Sequence, residues 1–459
     1  MNKSVVIIGG GIAGLTAAFR LQQSGVNVTL VEKSGRLGGA MYSKKEDGFL
    51  SEIGPNTILE TSPLVTQLVK DIGLEDSKVY ANDTSSNRYI VRNKKMEALP
   101  TSPLAFLTSP LFSWKAKLRL FREPFIPAWD NRFEESLSQF VLRRLGMEFL
   151  DYAINPFVAG VYAGDPDSLS VVHGFSKLYQ LEQTYGGLIK GQIKGARERK
   201  KRKEVSKQTA KMFSFTSGLR EVPDRLETLL GTSILKRTVV KDISPLRNAW
   251  AVTISDDKNK SKVLNADAIL YAGRAADLHT FTLNRKTHTY QTDLSKIYHP
   301  PVSVLTLGFN REDIVHPLDG FGVLIPKVEN FQILGTLFSS TLFENRAPKD
   351  KVLLTVFIGG SRQPDNAMKS TSELTEMAVK DLNIMLGVKK SPIYVSHTFW
   401  AQAIPQYQVG YGVHKEAISS LEDQNPGLFF TGNYRNGISV ADTIVNSEEI
   451  TDKIKTFIK

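Results

Sequence analysis

The chain has 459 residues, roughly three ordinary domain lengths, with 41% hydrophobic and 23% charged residues, so two or three folded domains are expected and fibrous, repeat and disordered classes are excluded. It contains no cysteine, which removes disulfide frameworks, thiolate metal sites, cysteine nucleophiles and a flavin tethered through sulfur; redox chemistry must come from a bound cofactor. The net charge of +11 is concentrated in one place, because residues 190–211 hold ten Lys or Arg against Glu198 and Glu204.

In chain order, Ser4-Val5-Val6-Ile7-Ile8 reads as a buried strand, too short an apolar run for a signal peptide. It runs into Gly9-Gly10-Gly11-Ile12-Ala13-Gly14 and then an apolar helical pattern from Leu15. This is the strand, G-x-G-x-x-G and helix order of a dinucleotide site. Gly9 makes the tight turn, Gly11 lets the backbone approach a pyrophosphate, and Gly14 lets helix and strand pack closely, with Ile12 and Ala13 at the helix N-terminus that faces the anion. A second strand over 26–31 ends at Glu32, whose carboxylate stands where ribose hydroxyls are bonded and a 2′-phosphate is repelled. Lys33, Arg36 and a second doublet, Gly38-Gly39, follow directly.

Residues 104–129 place Phe106, Trp114, Phe125 and Trp129 among Lys115, Lys117, Arg119 and Arg122, a pattern that suits a membrane interface, with core packing as the other reading. No run approaches about 18 uninterrupted apolar residues, so no spanning helix is expected and the protein is expected to be cytoplasmic. The basic run over 195–204 reads as a solvated linker, or as a contact for phosphates of nucleic acid or anionic lipid; no nucleic-acid module surrounds it, and no nucleic-acid partner is expected. A strand over 235–243 and a last strand, Leu428-Phe429-Phe430-Thr431-Gly432, complete the elements that matter, with a helix expected from about Val440. The seven histidines are scattered, and neither a Ser-His-Asp set nor a metal-ligand cluster is visible.

The continuation Arg36-Leu37-Gly38-Gly39 just after the ribose acid resembles the signature of the amine-oxidase-like flavoprotein superfamily. That resemblance implies FAD, bound without a covalent link. It implies cofactor contacts from Gly9, Gly11, Ile12, Ala13, Gly14, Glu32, Lys33, Arg36, Gly38, Gly39, Gly54, Pro55, Asn56 and Thr57, and from the backbone near Val240. Gly432, Asn433, Ile438, Ser439 and Val440 would bring a late helix N-terminus to the flavin pyrimidine oxygen.

Four stretches narrow the resemblance: Ser51-Glu52-Ile53-Gly54-Pro55-Asn56-Thr57, Asn87-Arg88-Tyr89-Ile90-Val91, the sixteen residues from Asn155-Pro156-Phe157 to Ser168-Leu169-Ser170, and Gly432-Asn433-Tyr434. Together with Leu181-Glu182-Gln183 they resemble the oxygen-dependent protoporphyrinogen oxidase family, over nearly the whole chain. The resemblance implies oxidation of a porphyrinogen to a porphyrin in heme biosynthesis, six electrons in three flavin cycles, with dioxygen as acceptor and hydrogen peroxide released. Carried over, Arg88 pairs with a substrate propionate, the Gly160 carbonyl faces the reacting macrocycle, and Leu324, Leu334 and Phe357 form apolar walls. Protoporphyrinogen is the expected substrate and coproporphyrinogen the alternative; an amine oxidase, a carotenoid desaturase and a flavin-bound scaffold without turnover stand further off. The expected fold is α/β: a Rossmann-type FAD-binding domain (1–84, 206–275 and 418–459), a β-sheet substrate domain (276–417), and a mostly helical, membrane-facing insertion (85–205) giving peripheral membrane contact. Oligomeric state is open.

Overall fold

The fold is taken from a computed structural model, which describes residues 3–130, 133–202, 210–283 and 293–459. Its first layer is a five-stranded parallel sheet in the order Ile234–Leu235, Asn27–Val31, Ser4–Ile8, Ala268–Tyr271, Leu428–Phe430. Such strands are covered on both faces, which is why they read as unbroken apolar runs. The helices Ile12–Gln23 and Val440–Ile458 pack on one face, where Leu15, Ala18, Ile444 and Ile454 share a core with Val5 and Ile7. Val6, Ile8 and Val31 turn to the other face, against Val240, Trp250 and the helix Gly412–Gln424.

The strand expected over 235–243 is broken in two. Arg237 takes φ +50°, and the chain leaves the parallel sheet at Leu235 to enter a four-stranded sheet as Thr238–Pro245. No glycine or proline marks the break, so propensity alone does not locate it.

The second large layer is a seven-stranded sheet in the order Tyr394–Trp400, Val302–Asn310, Lys351–Gly359, Ile333–Leu337, Gly320–Leu324, Asn87–Arg92, Lys95–Ala98. All neighbours are antiparallel except Gly320–Leu324 with Asn87–Arg92. The stretch from residue 85, expected inside a helical insertion, therefore begins with two strands of this sheet. Its physical reason is local: Asn93 and Lys94 both take positive φ (+52° and +60°), the two-residue turn that matches the twist of a hairpin.

The helical layer runs from Pro103–Thr108 through Trp114–Leu120, Leu137–Arg144, Asn155–Tyr162 and Ser176–Tyr185 to Leu188–Arg202. The last of these takes up much of the basic run expected as a linker, since Lys, Arg, Gln and Glu are good helix formers; residues 203–209 lie outside the described residues. A closed ion cluster holds the layer together. The Arg144 guanidinium, fully buried, reaches Glu182 at 2.5 Å and Glu123 at 3.0 Å, and Glu123 in turn accepts from the Leu188 and Ile189 N–H groups at the next helix start. Glu182, noticed in sequence only as part of a motif, is thus a structural counter-ion.

Another buried carboxylate, Glu52, ends the strand Phe49–Glu52. The Ser43 hydroxyl donates to its Oε2 (2.7 Å) and the Leu219 N–H to its Oε1 (2.9 Å), with Arg346 3.7 Å away. Burial outweighs these partners and pushes the carboxyl up from 4.5 to about 7. Below the ordinary value both folded and unfolded chains carry the proton, and the fold loses nothing. Between that value and about 7 the unfolded chain releases the proton that the fold retains, so stability falls as pH rises. Glu52→Gln, neutral throughout, should lack this slope: from about pH 5 to about pH 8 the wild type should lose thermal midpoint relative to the variant. A difference independent of pH would contradict the assignment.

Candidate functional site

The carboxyl ends of the parallel strands meet at one edge, and the sequence places its glycines there. Gly9 leaves the first strand at φ +111°, and a Cβ on it would sit 2.8 Å from the Ala272–Gly273 backbone. Gly11 caps the helix Ile12–Gln23 with no side-chain partner for its free N–H groups, which Ile12, Ala13 and Gly14 carry outward. A Cβ on Gly11 would meet nothing within 4 Å, whereas one on Gly14 would lie 2.0 Å from the Gly9 carbonyl oxygen. Two glycines of one motif thus do different things: one leaves a cradle open to solvent, the other closes helix onto turn.

Glu32 is pinned beside this cradle. Its Oε2 accepts from the Gly10 N–H and its Oε1 from the Ser34 N–H, both at 2.7 Å, while the Thr238 N–H donates to its carbonyl as the chain heads toward Val240. Gly38 bridges to Gly11, and Gly39 lies against it. Arg36 holds the doublet from outside, donating to the Gly39 carbonyl at 2.8 Å and resting on the Tyr42 ring, while Lys33 pairs with Asp277 at 2.7 Å. Gly54 packs on Ala40 so closely that a Cβ would stand 2.4 Å from its carbonyl oxygen, and Asn56 donates back to Gly54 (3.1 Å), leaving Pro55, Asn56 and Thr57 half-buried on the same rim. On the far side the strand Leu428–Phe430 leads through Gly432, at φ +150°, and Asn433 to Ile438 and Ser439, whose hydroxyl caps the helix from Val440.

The seven-stranded sheet adds an apolar wall. Leu324, Gly335, Phe357, Val304 and Thr398 stand side by side across five strands. A register shift between Ile333 and Gly335 swings Leu334 into the cluster of Val304 and Phe357. The helix Asn155–Tyr162 closes on this wall through Ala159, and at Gly160 a Cβ would come 2.3 Å from Leu324 Cδ2. Trp400, in the same cluster, donates its indole N–H to the Ile53 carbonyl at 2.7 Å, tying the wall to the loop that begins at Gly54. Sequence reading assigned Trp400 no role; only the sheet register brings it there. Arg88 lies further along the sheet, exposed, over the Phe321 ring at 5.7 Å, with no carboxylate partner among the described residues. No group of His, Asp or Glu able to hold a metal occurs among the described residues.

Strand, glycine turn, helix and acid in this register define a dinucleotide-binding protein with a second sheet standing over the nucleotide edge. Residues 12–447 match the family of flavin containing amine oxidoreductases. The chain is 35% identical to protoporphyrinogen oxidase 2, chloroplastic/mitochondrial, of Arabidopsis thaliana, covering all of this chain and 95% of that protein, and 28% identical to coproporphyrinogen III oxidase of Bacillus subtilis, covering all of this chain and 99% of that one. The crystal structure of a candidate protoporphyrinogen oxidase from Exiguobacterium sp. 255-15 superposes with a TM-score of 0.82 at 22% identity over 99% of both chains, which shows the shared fold. The chain belongs to the flavin containing amine oxidoreductase family: it is an oxidoreductase, and its cofactor is FAD. The open space at Gly11, the uncapped helix N-terminus and the pinned Glu32 fit that group.

The two glycines give a paired prediction. Gly11→Leu, at an ordinary φ of −73°, should fold within about 1 kcal/mol of the flavin-free wild type yet purify without flavin absorbance, because the side chain fills the cradle. Gly14→Ala should instead lower thermal stability by about 3 kcal/mol or more even without flavin, because its Cβ meets a backbone oxygen. Wild-type flavin content in the first variant, or wild-type stability in the second, would contradict the division of labour.

Proposed function

We propose that the protein oxidises a porphyrinogen with bound FAD, and that the substrate is protoporphyrinogen. One observation carries the reading: the apolar wall of Leu324, Leu334 and Phe357 is joined at one side to the helix bearing Gly160 and at the other, through Trp400, to the Gly54–Thr57 rim of the FAD cradle. A flat, largely apolar macrocycle suits such a wall, and the named activities of the similar proteins agree with it.

In this reading Gly9, Gly11, Ile12, Ala13 and Gly14 hold the pyrophosphate by backbone N–H groups, and Glu32 accepts the ribose hydroxyls on the lone pairs its backbone donors leave free. Val240 backs the adenine. Gly38, Gly39 and residues 54–57 border the flavin from one side; Gly432, Asn433, Ile438, Ser439 and Val440 border it from the other, where the N-terminus of a 19-residue helix favours the negative charge of the reduced ring. Lys33 and Arg36 act indirectly, through Asp277 and the Gly39 carbonyl. Bound FAD supplies a two-electron acceptor that dioxygen regenerates. Three passes remove six electrons and six protons from the macrocycle, and three dioxygen molecules leave as hydrogen peroxide. The side chains need only exclude water, orient the ring and hold its carboxylates; pyrrole protons leave to solvent, so no strong base is required.

Arg88, a guanidinium without a carboxylate partner among the described residues, is assigned to a propionate. Arg88→Ala should weaken substrate binding by about 1.5 to 3 kcal/mol, the range of charge-assisted hydrogen bonds, read as a roughly ten- to hundredfold higher KM with an unchanged flavin spectrum. Unchanged KM and kcat would remove Arg88 from the site. Faster turnover of coproporphyrinogen than of protoporphyrinogen would reverse the choice of substrate within the same chemistry.

The helical layer supports a peripheral membrane contact. Leu104 is 73% exposed, Phe121 69%, Phe125 85% and Phe133 75%, beside Lys115, Arg119 and Arg122. No helix among the described residues is long and apolar enough to cross a membrane. Detergent should release the protein from membrane fractions and high salt alone should release it poorly, because apolar side chains do the holding. Complete recovery in the low-salt supernatant would contradict the contact.

A further inference from the structure

Two adjacent residues reach in different directions from the chain between the wall and the last strand. Gln406, 1% exposed, donates from Nε2 to the Tyr162 carbonyl (2.8 Å), the last residue of the helix that carries Gly160. Tyr407, 4% exposed, donates its hydroxyl to the Asn433 carbonyl (2.6 Å) and accepts from the Gly437 N–H (3.0 Å), so one phenol oxygen spans both ends of the loop between Gly432 and the final helix. The backbone of the same pair is fixed independently: the Ser170 N–H donates to the Tyr407 carbonyl and the Gln406 N–H to the Tyr298 carbonyl. Among the described residues, none donates to the enclosed Gln406 amide oxygen. A buried acceptor left unmet is costly, so a glutamine kept there is kept for what its nitrogen holds. Gly437 takes φ +138°, a conformation that suits glycine, and its N–H is held by the Tyr407 hydroxyl.

We infer that Gln406 and Tyr407 are positioning residues, a two-residue strut that holds the Gly160 helix at a set distance from the Asn433–Gly437 loop and so fixes how closely substrate meets flavin. The inference rests on the reading that this loop borders the flavin and that Gly160 faces the substrate. Neither side chain touches the reacting atoms. The two residues are adjacent in the chain, and one side chain grips each wall of the proposed reaction space. Misplacement by a fraction of an ångström at such a junction acts on turnover more than on binding.

The test uses the holoenzyme and two conservative variants. Tyr407→Phe retains the ring contact with Tyr411 (4.5 Å between centroids) and removes both loop bonds. It should lower kcat about tenfold or more with KM within about twofold, shift the visible flavin spectrum, and raise hydrogen exchange at the Gly437 amide. Gln406→Met, which gives up the Nε2 bonds to the Tyr162 carbonyl and to the Ile404 carbonyl (3.0 Å) of its own segment but leaves both Tyr407 loop bonds in place, should lower kcat in the same way while leaving the flavin spectrum and Gly437 protection at wild-type values. A Tyr407→Phe enzyme with wild-type kcat and flavin spectrum would overturn the strut. So would wild-type protein whose Gly437 amide exchanges as fast as an open loop, a measurement that needs no variant to fold. Absence of porphyrinogen turnover in the wild type would instead refute the functional reading, and the spectrum and exchange measurements would still decide whether Tyr407 holds the flavin loop.

Discussion

The nucleotide edge turns on the contact of Gly14 with the carbonyl oxygen of Gly9, where a single added carbon would stand 2.0 Å from oxygen. It forces the helix Ile12–Gln23 down onto the end of the first strand and leaves its free N–H groups aimed along the strand direction. Everything else at the nucleotide edge is arranged around that point. Glu32 is clamped by the Gly10 N–H, the Gly38 doublet bridges to Gly11, and the last helix packs against the first from the other end of the chain. The construction takes residues from four distant parts of the sequence, and each is small or backbone-bonded where it approaches the cradle.

The nucleotide half was legible because its physics is local. A tight turn needs Gly9, a close helix needs Gly14, an open cradle needs Gly11, and all three fall within six residues of one strand. The residues proposed to face substrate were named in the sequence only through resemblance, and the way the fold gathers them was not legible there. Leu334 joins the wall because of a register shift, and Trp400 reaches the Ile53 carbonyl because the edge strand lies where the sheet order puts it. Neither follows from periodicity. The same is true of Arg144, a residue that composition would leave at the surface and that the fold encloses between Glu123 and Glu182.

Two departures from the sequence reading share a cause. The hairpin of Asn87–Arg92 and Lys95–Ala98 and the break at Arg237 both depend on residues other than glycine taking positive φ, which composition signals weakly. In each case the chain changes partners there. The first departure carries Arg88 into the sheet that holds Leu324 and Phe357, so that the guanidinium and the apolar wall belong to one sheet. The second sends Val240 past Glu32 into a separate sheet.

The central claim is that reducing equivalents pass from a porphyrinogen to FAD held in the Gly9–Gly14 cradle. It is tested most directly by mixing the purified, oxidised holoenzyme with protoporphyrinogen in the absence of dioxygen and following the flavin's visible absorption. Rapid bleaching with porphyrin formed in step is expected, followed by return of the absorption when air is admitted. Flavin that stays oxidised in the presence of both protoporphyrinogen and coproporphyrinogen would contradict it.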